Sequence, residues 1–190
     1  MFNALFKQQL IRERIFSFYL THKEDSVVRL GGIDKAKIRS EERLQYFELT
    51  KSPYWSIEIK GFYVDDSNCL GPSALFAIVD SGTTLLSMPT DDYLKVVNTI
   101  RVHANKPLVR FVDHTGYEVG YGWDMHCDHI GNLPRVSISF GGSNLFEIAP
   151  DTYMAVYGEQ CLIEMSGDSE HMYILGNTFM KNYYTVFDLE

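Results

Sequence analysis

The chain has 190 residues, 45% hydrophobic and 14% aromatic, which is globular rather than disordered composition and enough apolar material for one substantial core or two small ones. Its formal net charge of −8 argues against the basic face that nucleic-acid binding needs, and fits an acidic compartment as well as an ordinary acidic enzyme. No apolar run approaches the about 20 residues of a membrane span, and Lys7, Gln8, Gln9 and Arg12 break any signal-peptide core.

Phe2, Leu5, Phe6 and Leu10 fall on one face of a short amphipathic helix. Ile15 to Leu20 reads as a strand, His22 to Asp25 as a polar turn, and Val27 to Leu30 as the returning partner, ended by Gly31-Gly32. Leu44 to Leu49 and Trp55 to Val64 are further predicted strands, the second alternating Trp55, Ile57 and Ile59 against Ser56, Glu58 and Lys60. Asp65 to Asn68 is a turn by composition.

Leu75 to Val79 is an apolar strand running into Asp80. A helix follows, with Thr90 as N-cap, Asp91 and Asp92 at its positive end, and Tyr93, Leu94, Val97 and Ile100 as its apolar stripe. Short strands separated by Gly, Pro and Asn turns fill the rest: 108–112, 117–121, 136–140, 145–148, 153–156, 162–165 and 183–187. The expectation is an all-β chain with about two or three short helices, and no repeat, linker or internal domain boundary.

The segment Phe76-Ala77-Ile78-Val79-Asp80-Ser81-Gly82-Thr83-Thr84 carries the most chemistry. An apolar strand delivers one carboxylate into a loop of hydroxyls and a glycine, so hydrogen-bond donors surround an acid near the interior. The plain alternative is an Asx-type turn that ends a strand.

Cys69, Cys127 and Cys161 leave two readings open: one disulfide with a leftover thiol, or three reduced thiols in a cytosolic protein. His126-Cys127-Asp128-His129 lacks the spacing of a usual zinc site and reads as a solvated loop. His103, His114 and His171 stand in polar stretches, and Lys35, Lys37, Arg39, Glu41, Glu42 and Arg43 form a charged loop. Neither a metal nor a cofactor is expected.

Ala77 to Thr84 resembles the second catalytic motif of pepsin-like aspartic proteases. Three further stretches follow that family's order: Tyr173-Ile174-Leu175-Gly176 resembles the segment crossing behind the catalytic loop, Tyr183 to Asp188 the strand after it, and Leu30 to Asp34 with Tyr54-Trp55 the entry into the C-terminal lobe. The resemblance covers nearly the whole chain. It implies a C-terminal lobe over residues 1–190, without the N-terminal lobe that bears the other Asp loop and the flap tyrosine, and short of the closing strand.

By the same resemblance Asp80 is catalytic, and Ser81, Gly82 and Thr83 support its loop, the two hydroxyls by hydrogen bonding and Gly82 by letting substrate approach. Ile78, Gly82, Thr84 and Ile174 line substrate subsites. Cys127 and Cys161 form the lobe's disulfide, closing a loop of over thirty residues worth about 3–4 kcal/mol, and Cys69 is a partly buried thiol. Asn177 stands where strongly acidic members often carry Asp, which implies a less acid pH optimum than pepsin's; an optimum near pH 2 would refute it. The compartment implied is the secretory pathway, an acidic vesicle or the cell exterior.

Metal-free peptide hydrolysis of this kind uses two carboxylates about 3 Å apart, which titrate as a pair and share a proton. This chain supplies one. Three functions follow: a protease lobe completed by an upstream lobe, a homodimer in which each copy gives one Asp as retroviral proteases do, or a non-catalytic peptide-binding lobe. An isolated lobe is also expected to expose an apolar face.

Overall fold

The computed structural model describes residues 2–21, 25–38, 44–70, 76–104, 108–112, 118–123, 127–141, 144–157, 160–169 and 171–189. They fall into two compact units, Met1–Phe47 with Met180–Glu190, and Glu48–Phe179.

In the first unit, Ile15–Tyr19 is the middle strand of three, antiparallel to Val27–Leu30 on one side and Thr185–Asp188 on the other. Phe16 and Phe187 are register partners, and their rings stack at 4.7 Å. The expected N-terminal helix forms over Phe2–Lys7, and Phe2 packs on Phe16 at 5.4 Å. Gly31 ends the outer strand at φ +82, a left-handed conformation where a Cβ would also stand 2.6 Å from Ile11 Cβ. That outer strand exposes Val27, Val28 and Leu30.

The second unit carries three sheets among its described residues. One has the order Phe146–Ile148, Val136–Ser139, Gly61–Val64, Ser67–Asn68. Another runs Met154–Tyr157, Gln160–Ile163, Glu118–Trp123, Leu108–Val112. The third has five strands: Met165–Ser169, Leu86–Pro89, Tyr173–Leu175, Phe76–Val79 and Ser56–Glu58. Helix Thr90–Ala104 packs against the Met165–Ser169 strand. Ala77, Leu86, Met88, Tyr173 and Leu175, all at 0% exposure, form the centre of the five-stranded sheet's core.

Several expected elements differ. The strand expected over 55–64 is two strands in two sheets, Ser56–Glu58 and Gly61–Val64. The chain changes sheets at Ile59-Lys60, where Lys60 N donates to Ser139 O at 2.7 Å. The alternation also fails at Ser56, which is fully buried because its hydroxyl pairs with Thr50 Oγ1. Leu44 to Phe47 form no strand, and Leu49 makes a single bridge to Ile57. Asp65, at φ +47, begins a tight hairpin whose return strand is Ser67–Asn68.

In helix Thr90–Ala104 the buried stripe is Tyr93, Val96, Val97 and Ile100, and Leu94 is exposed. Thr90 is the first helical residue rather than a cap; its hydroxyl donates to Gly167 O at 2.5 Å. Pro150–Tyr153 and Asn177–Met180 are one-turn helices that the apolar pattern does not announce. The turn expected at residues 22–25 lies mostly outside the described residues.

Candidate active site

Asp80 follows directly on the strand Phe76–Val79, half-buried. Its backbone N–H donates to Leu175 O at 3.1 Å. Each carboxylate oxygen has its own donor: Gly82 N reaches Oδ1 at 2.9 Å, and Thr83 Oγ1 reaches Oδ2 at 2.6 Å. The first contact alone is an Asx turn. The second contact and the strand beneath the loop distinguish this site from an ordinary turn.

The strands flanking the loop, Phe76–Val79 and Leu86–Pro89, are not neighbours. Tyr173–Leu175 lies between them, parallel to the first and antiparallel to the second. The loop 80–85 therefore bridges two strand spacings, about 10 Å, across the end of that middle strand. Gly176 is the next residue of the middle strand's chain. A Cβ there would stand 2.3 Å from Leu85 O and 2.5 Å from Thr83 O, so only glycine fits beneath the loop. Just beyond it, Asn177 N donates to Thr83 O at 2.8 Å and Thr178 N to Thr84 O at 3.0 Å. The loop is thus tied along its length to 175–178.

Side chains alternate along a strand, so Ile78 projects to the same face as Asp80. Ile174 is the register partner of Ile78, and both are partly exposed. The site brings together a fixed carboxylate and two neighbouring apolar side chains on a strand surface.

A family model described as eukaryotic aspartyl protease matches residues 1–190. The chain belongs to the eukaryotic aspartyl protease family. It is 30% identical to cathepsin D of Rattus norvegicus over 203 residues, covering 100% of this chain and 46% of that protein. It is 28% identical to pepsin A of Sus scrofa over 195 residues, covering 99% and 46%, and 28% identical to a pregnancy-associated glycoprotein of Equus caballus over 200 residues, covering 100% and 47%. The chain spans about half the length of the curated relatives it matches.

In this aspartyl protease chain the loop-support residues are not equivalent. Thr83 binds the carboxylate through its hydroxyl and Gly82 through its amide. Ser81 is exposed, and its hydroxyl contacts neither carboxylate oxygen. At Gly82 a Cβ would stand 3.2 Å from Asp80 Oδ1, a close approach to the carboxylate itself. Thr84 is exposed and contributes its carbonyl to Thr178.

Asn177 is held by its backbone, and its Oδ1 is buried with no hydrogen-bond partner among the described residues. Thr178 belongs with the loop although nothing in its local sequence marks it beyond a hydroxyl in the otherwise apolar Phe179-Met180 turn. Its hydroxyl donates to Thr84 O at 3.0 Å, and it is fully buried.

Cys127 and Cys161 are joined in a disulfide with Cα atoms 5.7 Å apart. Cys127 is therefore not a free thiolate for a metal, and His126 lies outside the described residues. Cys69 is a free thiol, fully rather than partly buried. No described helix is long and apolar enough to cross a membrane.

Proposed function

We propose that this chain is the C-terminal lobe of an aspartic endopeptidase and supplies Asp80 as one of two catalytic carboxylates. The observation that supports this most is the Asp80 loop, with one donor on each carboxylate oxygen and Gly176 packed beneath it. A surface turn needs neither the second donor nor the underlying strand.

In this reading the second carboxylate comes from an N-terminal lobe of the same polypeptide. The pair holds one proton between them because two like charges about 3 Å apart do not both ionise. The ionised member takes a proton from water as that water's oxygen bonds to the peptide carbonyl carbon. The protonated member gives its proton to the carbonyl oxygen. Thr83 and Gly82 keep the Asp80 carboxylate from rotating away from the water. Gly82, Thr84, Ile78 and Ile174 line the peptide-binding surface beside it. The disulfide favours an oxidising compartment: the secretory pathway, an acidic vesicle or the exterior.

Sedimentation together with a peptide-cleavage assay at pH 4–6 tests this. The expected result is pepstatin-sensitive cleavage by the intact two-lobed protein and an inactive chain on its own. Cleavage by a dimer of this chain would move the second carboxylate to another copy. Binding of peptide without cleavage by the intact protein would make the lobe a binding module.

A further inference from the structure

Glu164 is a buried carboxyl side chain, only 8% exposed. It occupies the single position between the strands Gln160–Ile163 and Met165–Ser169. Its backbone is committed to neighbouring strands: its N–H donates to Tyr153 O at 2.8 Å, and its carbonyl accepts from Leu86 N at 3.1 Å. No cation among the described residues pairs with it. A buried carboxyl without a cation is costly, and an apolar side chain of the same size would fill the space at less cost.

What its side chain meets is Thr178, whose Oγ1 stands 3.4 Å from Glu164 Oε2. That same Oγ1 is 3.0 Å from Thr84 O. Thr178 has one proton and two acceptors in reach. The carbonyl is the nearer acceptor, and it also takes the Thr178 amide proton at 3.0 Å. Glu164 thus touches the one hydroxyl that fastens the far end of the Asp80 loop. The near end is fastened by Asp80 N on Leu175 O at 3.1 Å.

We propose that Glu164 and Thr178 are a positioning pair for the catalytic loop. Thr178 pins the Thr84 carbonyl, and the Glu164 carboxyl, as second and weaker acceptor of the same hydroxyl proton, orients that hydroxyl in a three-centre hydrogen bond. The pair acts through the loop on Asp80 and touches neither substrate nor water. This rests on Asp80 being the catalytic carboxylate.

The test uses the intact protease, with kcat and KM measured for Thr178→Val, Thr178→Ser, Glu164→Leu and Glu164→Gln. Thr178→Val is isosteric and removes only the hydroxyl. It is expected to lower kcat about tenfold, the effect of about 1.4 kcal/mol at the barrier, with KM little changed, and Thr178→Ser is expected to restore kcat. Glu164→Leu is expected to lower kcat as Thr178→Val does, whereas Glu164→Gln, which still hydrogen-bonds the hydroxyl, keeps it. If Glu164 only fills space, Glu164→Leu retains full kcat, and the proposal falls.

Amide hydrogen exchange at positions 177 and 178 of the same folded variants provides a readout that does not need activity. Both amides donate to loop carbonyls. Faster exchange in Thr178→Val and Glu164→Leu, but not in Thr178→Ser and Glu164→Gln, upholds the pair even if the protein cleaves nothing, in which case the protease reading alone fails. Unchanged exchange in all four overturns the pair.

Discussion

Gly176 lies so close beneath Thr83 that a Cβ on it would stand 2.5 Å from the Thr83 carbonyl oxygen, with Leu85 O at 2.3 Å on the same atom. Both obstacles are backbone, so neither can swing aside as a side-chain tip would. Gly176→Ala is therefore expected to destabilise the fold by about 3 kcal/mol or more, at or above the upper end for overpacking, and to displace the Asp80 loop. Urea unfolding measures the first effect. A midpoint unchanged from the parent would mean that the loop is not seated on the strand end.

A second buried contact holds the strand that precedes Gly176. Tyr173 donates its hydroxyl to Asp92 Oδ2 at 2.8 Å, and both residues are 5% exposed or less. Tyr173→Phe leaves that carboxylate buried without its donor. The expected cost is about 1–3 kcal/mol, read by urea unfolding. Asp92→Asn, which leaves an oxygen to accept the same bond, should cost less than Tyr173→Phe; a larger loss would show that the tyrosine is not the carboxylate's principal partner.

Alkaline pH acts on the same region. Burial, then the Asp92 hydrogen bond and charge, push the Tyr173 phenol well above its ordinary value, and burial with the Asp65 charge does the same at Tyr153. A raised phenol value means the folded state keeps a proton that the unfolded state releases above about pH 10. Stability from these two groups is complete below that pH and is lost as pH rises beyond it. Tyrosinate absorbance should show Tyr153 and Tyr173 ionising together with unfolding. Phe substitutions at the two positions assign their share of the signal, and ionisation near pH 10 in the folded protein would contradict the burial argument.

The Cys127–Cys161 bridge closes a loop with a sequence separation of 34. In the chain-entropy model its removal costs about 3–4 kcal/mol. Cys161→Ser and reductant treatment of the parent should lower the unfolding midpoint by similar amounts. Reduction without effect would show the thiols unpaired.

The Asp80 loop was legible as a loop because its signal is local: an apolar strand, one acid, three hydroxyl residues and a glycine in nine consecutive residues. The crossing segment Tyr173 to Gly176 was legible only through family resemblance, since nothing in three apolar residues and a glycine tells which strands they separate. Thr178 was not legible, because its partner Thr84 is 94 positions away. Glu164 was hidden by its chemistry: a lone carboxylate in sequence reads as surface, and only the fold shows it buried. Among the elements, the stripe of helix Thr90–Ala104 differs at Leu94 because Leu94 and Val96 both fit the helical period beside Tyr93, Val97 and Ile100, and packing chose Val96. The strand expected over 55–64 failed because alternation does not reveal a change of sheet.

Asp80 is proposed above as one of two carboxylates that activate water. The most direct measurement compares peptide cleavage by the intact protease with that of its Asp80→Asn variant, with circular dichroism checking that both are folded. Asn keeps the shape and an acceptor for Thr83 but cannot exchange the proton. Loss of kcat/KM on the order of a thousandfold or more, with the fold intact, is the predicted result. A folded Asp80→Asn protein that cleaves within about tenfold of the parent would contradict it.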